Sequence, residues 1–70
     1  MTVSEKIRLL MRRRGLTVTR LAGEMGISRQ YLTTKLNKNN FDVLELEKIA
    51  GILNCTFDCG FIMNDTGEKV

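Results

Sequence analysis

Two short helical patterns joined by one glycine, between residues 16 and 37, constrain this chain more than any other feature. Thr17 and Ser28 each lie where a helix N-cap is expected, and Gly26 lies where a helix commonly ends in a left-handed residue. Two helices connected so tightly must cross at a steep angle, which predicts a helix-turn-helix. The apolar residues at helical spacing are Leu21, Ala22 and Met25 before the glycine and Leu32 and Leu36 after it.

The same stretch resembles the helix-turn-helix of Cro and phage repressors, often called XRE-type regulators. It has the pattern Leu-Thr-x-x-x-Leu-Ala-x-x-Met-Gly-Ile-Ser-x-x-x-Leu, and the similarity extends from about Ile7 to Leu53. The resemblance implies a sequence-specific transcriptional regulator, expected to be a repressor, that binds a pseudo-palindromic operator through a recognition helix at about 28–37. The chain departs from the family at Val18, where many relatives carry a glutamine that binds a DNA phosphate.

Capping patterns predict two further helices around this unit. Thr2 and Glu5 form the pattern of a capping box at the start of one helix, and Asp42 and Glu45 repeat it at the start of the other. The predicted fold is therefore mainly α, a four-helix Cro/repressor-like helix-turn-helix domain over residues 1–54.

The last part of the chain has a different period. Apolar residues alternate with others from Cys55 to Met63, which predicts a strand, and residues 64–67 carry a turn signal. Residues 68–70 are a candidate second strand, so we expect a C-terminal β-strand or hairpin over 55–70 that belongs to the same domain. An isolated hairpin is marginally stable in water, so this one must pack on the helices or on another chain.

The charges are distributed unevenly between the two halves of the chain. Residues 1–40 contain nine Lys or Arg and two Glu, which gives +7, whereas residues 41–70 contain two Lys and six acids, which gives −4. A basic region beside an acidic one is expected where one face of a protein binds phosphate. Ordinary surface charge would produce the same counts, so the charges alone leave both explanations open.

The second helix of the helix-turn-helix has a polar face directed away from the core. With Leu32 at 0° and a step of 100° per residue, Leu36 falls at about 40°, and polar residues fall between about 100° and 200°. The N-terminal turn of this helix enters the major groove in helix-turn-helix proteins. A solvated face more often carries Glu and Lys, whereas these side chains can hydrogen-bond base edges. The candidates for base contacts are Arg29, Gln30, Thr33 and Thr34.

Other polar residues of these helices are candidates for contacts with the DNA backbone. The start of the preceding helix offers N–H groups to a phosphate even without the family's glutamine. In the family, the loop after the recognition helix approaches the DNA backbone. Arginines at the end of the first helix would either contact DNA or complement the helix dipole. The backbone candidates are Arg14, Thr17, Thr19, Arg20, Tyr31, Lys35, Asn37, Lys38 and Asn39.

The residue types argue against several kinds of chemistry. The chain has no histidine, and its only cysteines are Cys55 and Cys59, whereas a structural zinc site needs four ligands. In a strand their Cα atoms would lie about 13 Å apart, too far for a disulfide. Without a nucleophile–base pair or a phosphate-binding glycine loop, we expect no enzyme, metal, cofactor or small-molecule ligand. With no apolar run of about 18 residues and no signal peptide, we expect a soluble, cytoplasmic protein without membrane contact.

Specific DNA binding normally requires two helix-turn-helix domains, one for each half-site. The predicted C-terminal strand offers an unprotected edge that could pair with its own copy about a two-fold axis. Gly60 would then allow the partner backbone to approach closely. The residues expected at this homodimer interface are Phe57, Cys59, Phe61 and Ile62. The alternative is that the hairpin folds back on its own helices and the chain is monomeric when it is not bound to DNA.

Two other functions remain compatible with the sequence. One is a protein-interaction module, such as an antitoxin-like subunit that binds a partner protein through its C-terminal strand. The other is an architectural protein that binds double-stranded DNA without sequence preference.

Overall fold

A computed structural model describes residues 1–70 and contains four helices packed around one core. None of the four is long and apolar enough to cross a membrane. In chain order the helices are α1 (Val3–Arg14), α2 (Val18–Met25), α3 (Arg29–Lys38) and α4 (Val43–Ile52).

Local capping interactions determine where the first and last helices begin, as the sequence predicts. The Thr2 hydroxyl accepts the N–H of Glu5, and the Glu5 carboxylate accepts the N–H of Thr2, both at 3.1 Å. Asp42 and Glu45 form the same reciprocal pair at 2.7 and 3.1 Å. Each pair satisfies two N–H groups that a helix N-terminus otherwise leaves without partners.

A short connection that contains one left-handed residue separates α2 from α3. Thr17 caps α2 and Ser28 caps α3, with hydroxyl-to-N–H distances of 3.1 and 3.0 Å. Between them, Gly26 has a φ of 73°, a conformation that glycine adopts without steric penalty. This geometry ends α2 and lets α3 begin at Arg29, three residues later, which gives the predicted helix-turn-helix.

The core takes apolar residues from all four helices. Leu21, Leu32 and Leu53 are its largest fully buried side chains, and α2 packs against both α3 and α4. The apolar positions predicted on either side of Gly26 are confirmed, since all five of those side chains are buried. The buried cluster is Ile7, Met11, Leu21, Ala22, Met25, Leu32, Leu36, Ile49 and Leu53.

The prediction of a C-terminal strand is wrong. Residues 55–70 contain no β-strand, only one isolated antiparallel bridge between Ile62 and Lys69. The N–H and carbonyl of Phe61 bond to Val70 at 2.9 and 2.7 Å, and the N–H of Met63 bonds to Glu68 at 2.8 Å. Pairing over so few residues cannot propagate into a ladder, because a short two-stranded hairpin is marginal without packing on one face. The turn predicted over 64–67 does form, with Gly67 at φ 76°.

The close backbone approach expected at Gly60 takes place within the chain. A Cβ at this position would lie 2.6 Å from the carbonyl oxygen of Val70, closer than real Cβ contacts permit. The expectation that Gly60 makes room for a partner backbone is therefore corrected, since Val70 of the same chain occupies that space.

Candidate nucleic-acid interface

The four side chains predicted to contact bases lie together on the outer surface of α3. They surround one shallow, open depression that no apolar side chain lines. Three are exposed and the fourth, Thr33, is half-buried. None of them makes a hydrogen bond within the chain. Their donors and acceptors are therefore available to a ligand. The four residues are Arg29, Gln30, Thr33 and Thr34.

The start of α2 offers unpaired backbone donors. The N–H groups of Val18 and Thr19 have no partner within the chain, as is usual for the first residues of a helix. Thr17 is occupied by capping the N–H of Arg20, so its hydroxyl already has one partner. Unpaired N–H groups and the positive end of the helix dipole together suit an anion such as a DNA phosphate.

Two arginines of α1 lie beside the start of α2: Arg8, which was not predicted to contact DNA, and Arg12, one of the helix-end arginines for which DNA contact was left open. Arg8 and Arg12 of α1 line the same open groove as Thr17 and Val18. Their spacing of four residues places them on one face of α1, and this spacing was the signal in the sequence. The groove thus adds two cations to the N-terminus of α2.

Arg14, predicted to contact the DNA backbone, instead binds the end of α4. Its Nε donates to the carbonyl of Leu53 at 2.8 Å, and one Nη donates to the carbonyl of Asn54 at 3.3 Å. A helix C-terminus leaves its last carbonyls unpaired, and a cation there also complements the dipole. Arg14 therefore joins α1 to the end of α4, and the predicted contact with the DNA backbone would require these hydrogen bonds to break.

Two asparagines near the end of α3 also have partners within the chain. The Oδ1 of Asn39 accepts the N–H of Ser4 at 2.9 Å, and the Oδ1 of Asn37 accepts from the guanidinium of Arg8 at 3.3 Å. Asn39 has a φ of 53° and ends α3. These oxygens connect the end of α3 to α1, although each side-chain NH₂ group remains available to a ligand.

Lys35, another predicted backbone contact, forms an ion pair inside the domain. Its Nζ lies 2.9 Å from Oε2 of Glu45 in α4. The hydrogen bond to this carboxylate raises the pKa of Lys35 above its usual value, so the ammonium stays charged at neutral pH. No helical pattern in the sequence predicts this partner. The ion pair joins α3 to α4, and the predicted contact of Lys35 with DNA would require it to break.

The remaining predicted residues are accessible. Arg20, Lys38 and Thr19 are exposed, and Tyr31 is 52% exposed. Of the four residues assigned to a dimer interface, Phe57 is half-buried in an apolar groove against α1 and α4, while Cys59, Phe61 and Ile62 are exposed.

A helix-turn-helix that presents an unpaired polar face on its second helix, within the basic part of the chain, defines this molecule as a DNA-binding domain. The chain belongs to the Cro/C1-type HTH DNA-binding domain family, whose model matches residues 6–58. The family resemblance noted in the sequence is thereby confirmed. Searches of curated proteins and of solved structures found no match for the chain.

Proposed function

We propose that this protein is a sequence-specific regulator of transcription that represses genes by binding a pseudo-palindromic operator. The observation that carries the proposal is the group of four unpaired polar side chains around the depression on α3. Direct recognition of bases requires donors and acceptors that are not already bonded within the protein. Membership of the Cro/C1-type family supports the same conclusion.

Selection of binding sites from a random pool of duplex DNA tests this function. A specific regulator should enrich one sequence motif, and its binding should survive excess unrelated DNA, because specific sites are typically bound 10³- to 10⁷-fold more tightly than non-specific ones. An architectural DNA binder would enrich no motif, and that outcome would overturn the proposal. Reduced expression of a reporter placed downstream of the enriched motif would distinguish a repressor from an activator.

We propose that residues of α1, α2 and α3 around the helix-turn-helix contact the DNA backbone. These contacts position the domain on DNA without specifying its sequence. They come from the N–H groups at the start of α2 and from side chains on three helices. The side chains are Arg8, Arg12, Thr17, Thr19, Arg20, Tyr31 and Lys38, together with the NH₂ groups of Asn37 and Asn39.

Lys38→Ala should weaken binding to specific and unrelated duplexes by similar factors and reduce the salt slope by roughly one. The reason is that each phosphate neutralised by a cation releases counterions on binding. Lys69→Ala is the matched control, because it removes the same charge from an exposed residue of the C-terminal tail (residues 55–70) that pairs only with Asp58. Salt titrations of affinity measure both variants. A loss confined to the selected sequence in Lys38→Ala would contradict the assignment.

We further propose that two copies of the chain bind the two half-sites of the operator. The exposed apolar surface of the tail supports this arrangement, with Phe61 83% and Ile62 67% exposed. Contiguous apolar surface of this kind commonly marks an interface. Because the tail contains no strand, the proposed contact is between side chains and does not extend a sheet.

Sedimentation of the intact chain should show a dimer, and the double variant Phe61→Ser/Ile62→Ser should sediment as a monomer. Point substitutions are better than truncation here, because Phe57 packs against α1 and α4. Leu44→Ser is the control, since Leu44 is 77% exposed on α4 and apart from the tail. A monomeric intact chain, or a dimer that persists in the double variant, would contradict this interface.

The same exposed residues favour a second candidate function, a protein-interaction module that docks another protein on its tail. Two results together would favour this function over DNA-binding regulation. The parent would bind a stoichiometric protein partner that the double variant does not bind, and the DNA selection would enrich no motif.

A further inference from the structure

An ion pair between α3 and α4 is well shielded from solvent. The side chains of Lys35 and Glu45 are only 13% and 23% exposed, and their charged atoms lie 2.9 Å apart. The other ion pair, Lys69 with Asp58, is longer at 3.4 Å, with side chains 62% and 78% exposed. Exposed pairs are readily broken by salt and water, whereas a shielded pair persists. In the free protein, the ammonium of Lys35 is therefore bound to Glu45 and is not available to another anion.

Both members of this pair are held in place by other groups. One carboxylate oxygen of Glu45 accepts the N–H of Asp42 at 3.1 Å, which leaves the other for Lys35. The ammonium of Lys35 also lies 5.2 Å from the ring centre of Tyr31 and 5.8 Å from that of Phe41, within range of cation–π attraction. A carboxylate and two aromatic rings thus surround one lysine of the recognition helix.

Lys35 lies beside the surface that we assign to DNA phosphates. On the helical wheel with Leu32 at 0°, Lys35 falls at about 300°, next to Tyr31 at about 260° and Lys38 at about 240°. A lysine released from its carboxylate has a flexible four-carbon stem, and this position on the flank of α3 would bring its ammonium to the DNA backbone.

We propose that Glu45 limits sequence-independent affinity for DNA by holding Lys35 away from the phosphates. This inference rests on the proposed DNA-binding function, and it gives Glu45 a positioning role without contact to DNA. Phosphate contacts increase affinity for every sequence, whereas base contacts discriminate between sequences. A lysine bound within the domain adds nothing to the affinity for unrelated DNA, so base contacts supply a larger share of the binding free energy at a specific site.

Salt titration of binding to an arbitrary duplex tests the role of Glu45. In Glu45→Gln, glutamine retains the capping box but loses the charge that binds Lys35. The slope of log affinity against log salt should steepen by about 0.9, the value for one additional phosphate contact. Between 50 and 200 mM salt, this variant should lose about 3.5-fold more affinity than the parent. Glu47→Gln removes the same charge from an exposed position of α4 that forms no ion pair, and its slope should match the parent's.

A second variant identifies the cation responsible. The double substitution Glu45→Gln/Lys35→Met should return the slope to the parent's value, because no lysine is then released. An unchanged slope in Glu45→Gln, or a steeper slope that persists in the double variant, would overturn the proposal. If the pair only joined α3 to α4, Glu45→Gln would lower the unfolding temperature without changing the slope. That result would also overturn it.

The experiment separates this inference from the proposed function, because it uses duplexes of arbitrary sequence. A parent that binds DNA without enriching a motif would disprove specific regulation, while the salt slopes would still decide the role of Glu45. A parent that binds no duplex DNA would overturn both.

Discussion

Leu32→Ala is expected to destabilise the domain by about 2–5 kcal/mol, a large part of its total stability. Leu32 is fully buried between the helices, so its truncation removes apolar contacts and leaves a cavity. A domain of this size is stabilised by roughly 4–10 kcal/mol in all, at about 0.05–0.15 kcal/mol per residue. In thermal unfolding followed by circular dichroism, the midpoint should fall by about 8 °C or more.

Leu44→Ala is the matched control for this prediction. It removes the same atoms from a leucine that is also helical but is 77% exposed on α4. Substitutions on the surface usually change stability by less than about 0.5 kcal/mol, so its midpoint should shift by less than about 4 °C. Equal losses in the two variants would show that Leu32 does not lie at the centre of the core.

Gln30→Ala should relax the preference for one base pair in each half-site while leaving the fold intact. The side chain of Gln30 is exposed and makes no hydrogen bond within the chain, so its truncation removes no side-chain contact that stabilises α3. A bidentate contact between glutamine and adenine contributes about 1–3 kcal/mol of discrimination. This corresponds to a loss of selectivity of roughly 5- to 150-fold at that position.

Repeating the DNA selection with the variant measures this effect. The motif enriched by Gln30→Ala should show a weaker base preference at one position in each half-site. Lys38→Ala should enrich the same motif as the parent but bind every duplex with lower affinity. Thr34→Ala provides a second test of the same surface. If Gln30→Ala and Thr34→Ala both enrich the parental motif, α3 does not recognise the bases and the assignment of the recognition helix is wrong.

The helices could be predicted from the sequence because their ends depend on interactions within a few residues. The capping boxes at Thr2–Glu5 and Asp42–Glu45, and the left-handed conformation of Gly26, each involve groups in the same turn. The core followed from helical periodicity, and the polar face of α3 followed from its angle to Leu32 and Leu36. These properties belong to single helices, so the sequence by itself determined them.

The tertiary structure decided which polar side chains remain free for DNA. Arg12 and Arg14 look alike in the sequence, but Arg12 lies beside the start of α2 and Arg14 binds the carbonyl of Leu53, 39 residues away. A glutamate of α4 likewise engages Lys35. No periodic pattern encodes these pairs, because they depend on how the helices pack against one another.

The β-structure of the tail also could not be predicted from a pattern along the sequence. Alternating residues from Cys55 to Met63 fit a strand, but a strand also needs a partner along its length, and here only Ile62 forms a bridge, with Lys69. The sequence of this protein specifies its helices and their capped ends through interactions between neighbouring residues. The backbone pairing in the tail and the partners of Arg14 and Lys35 depend on contacts between residues that are distant in the sequence.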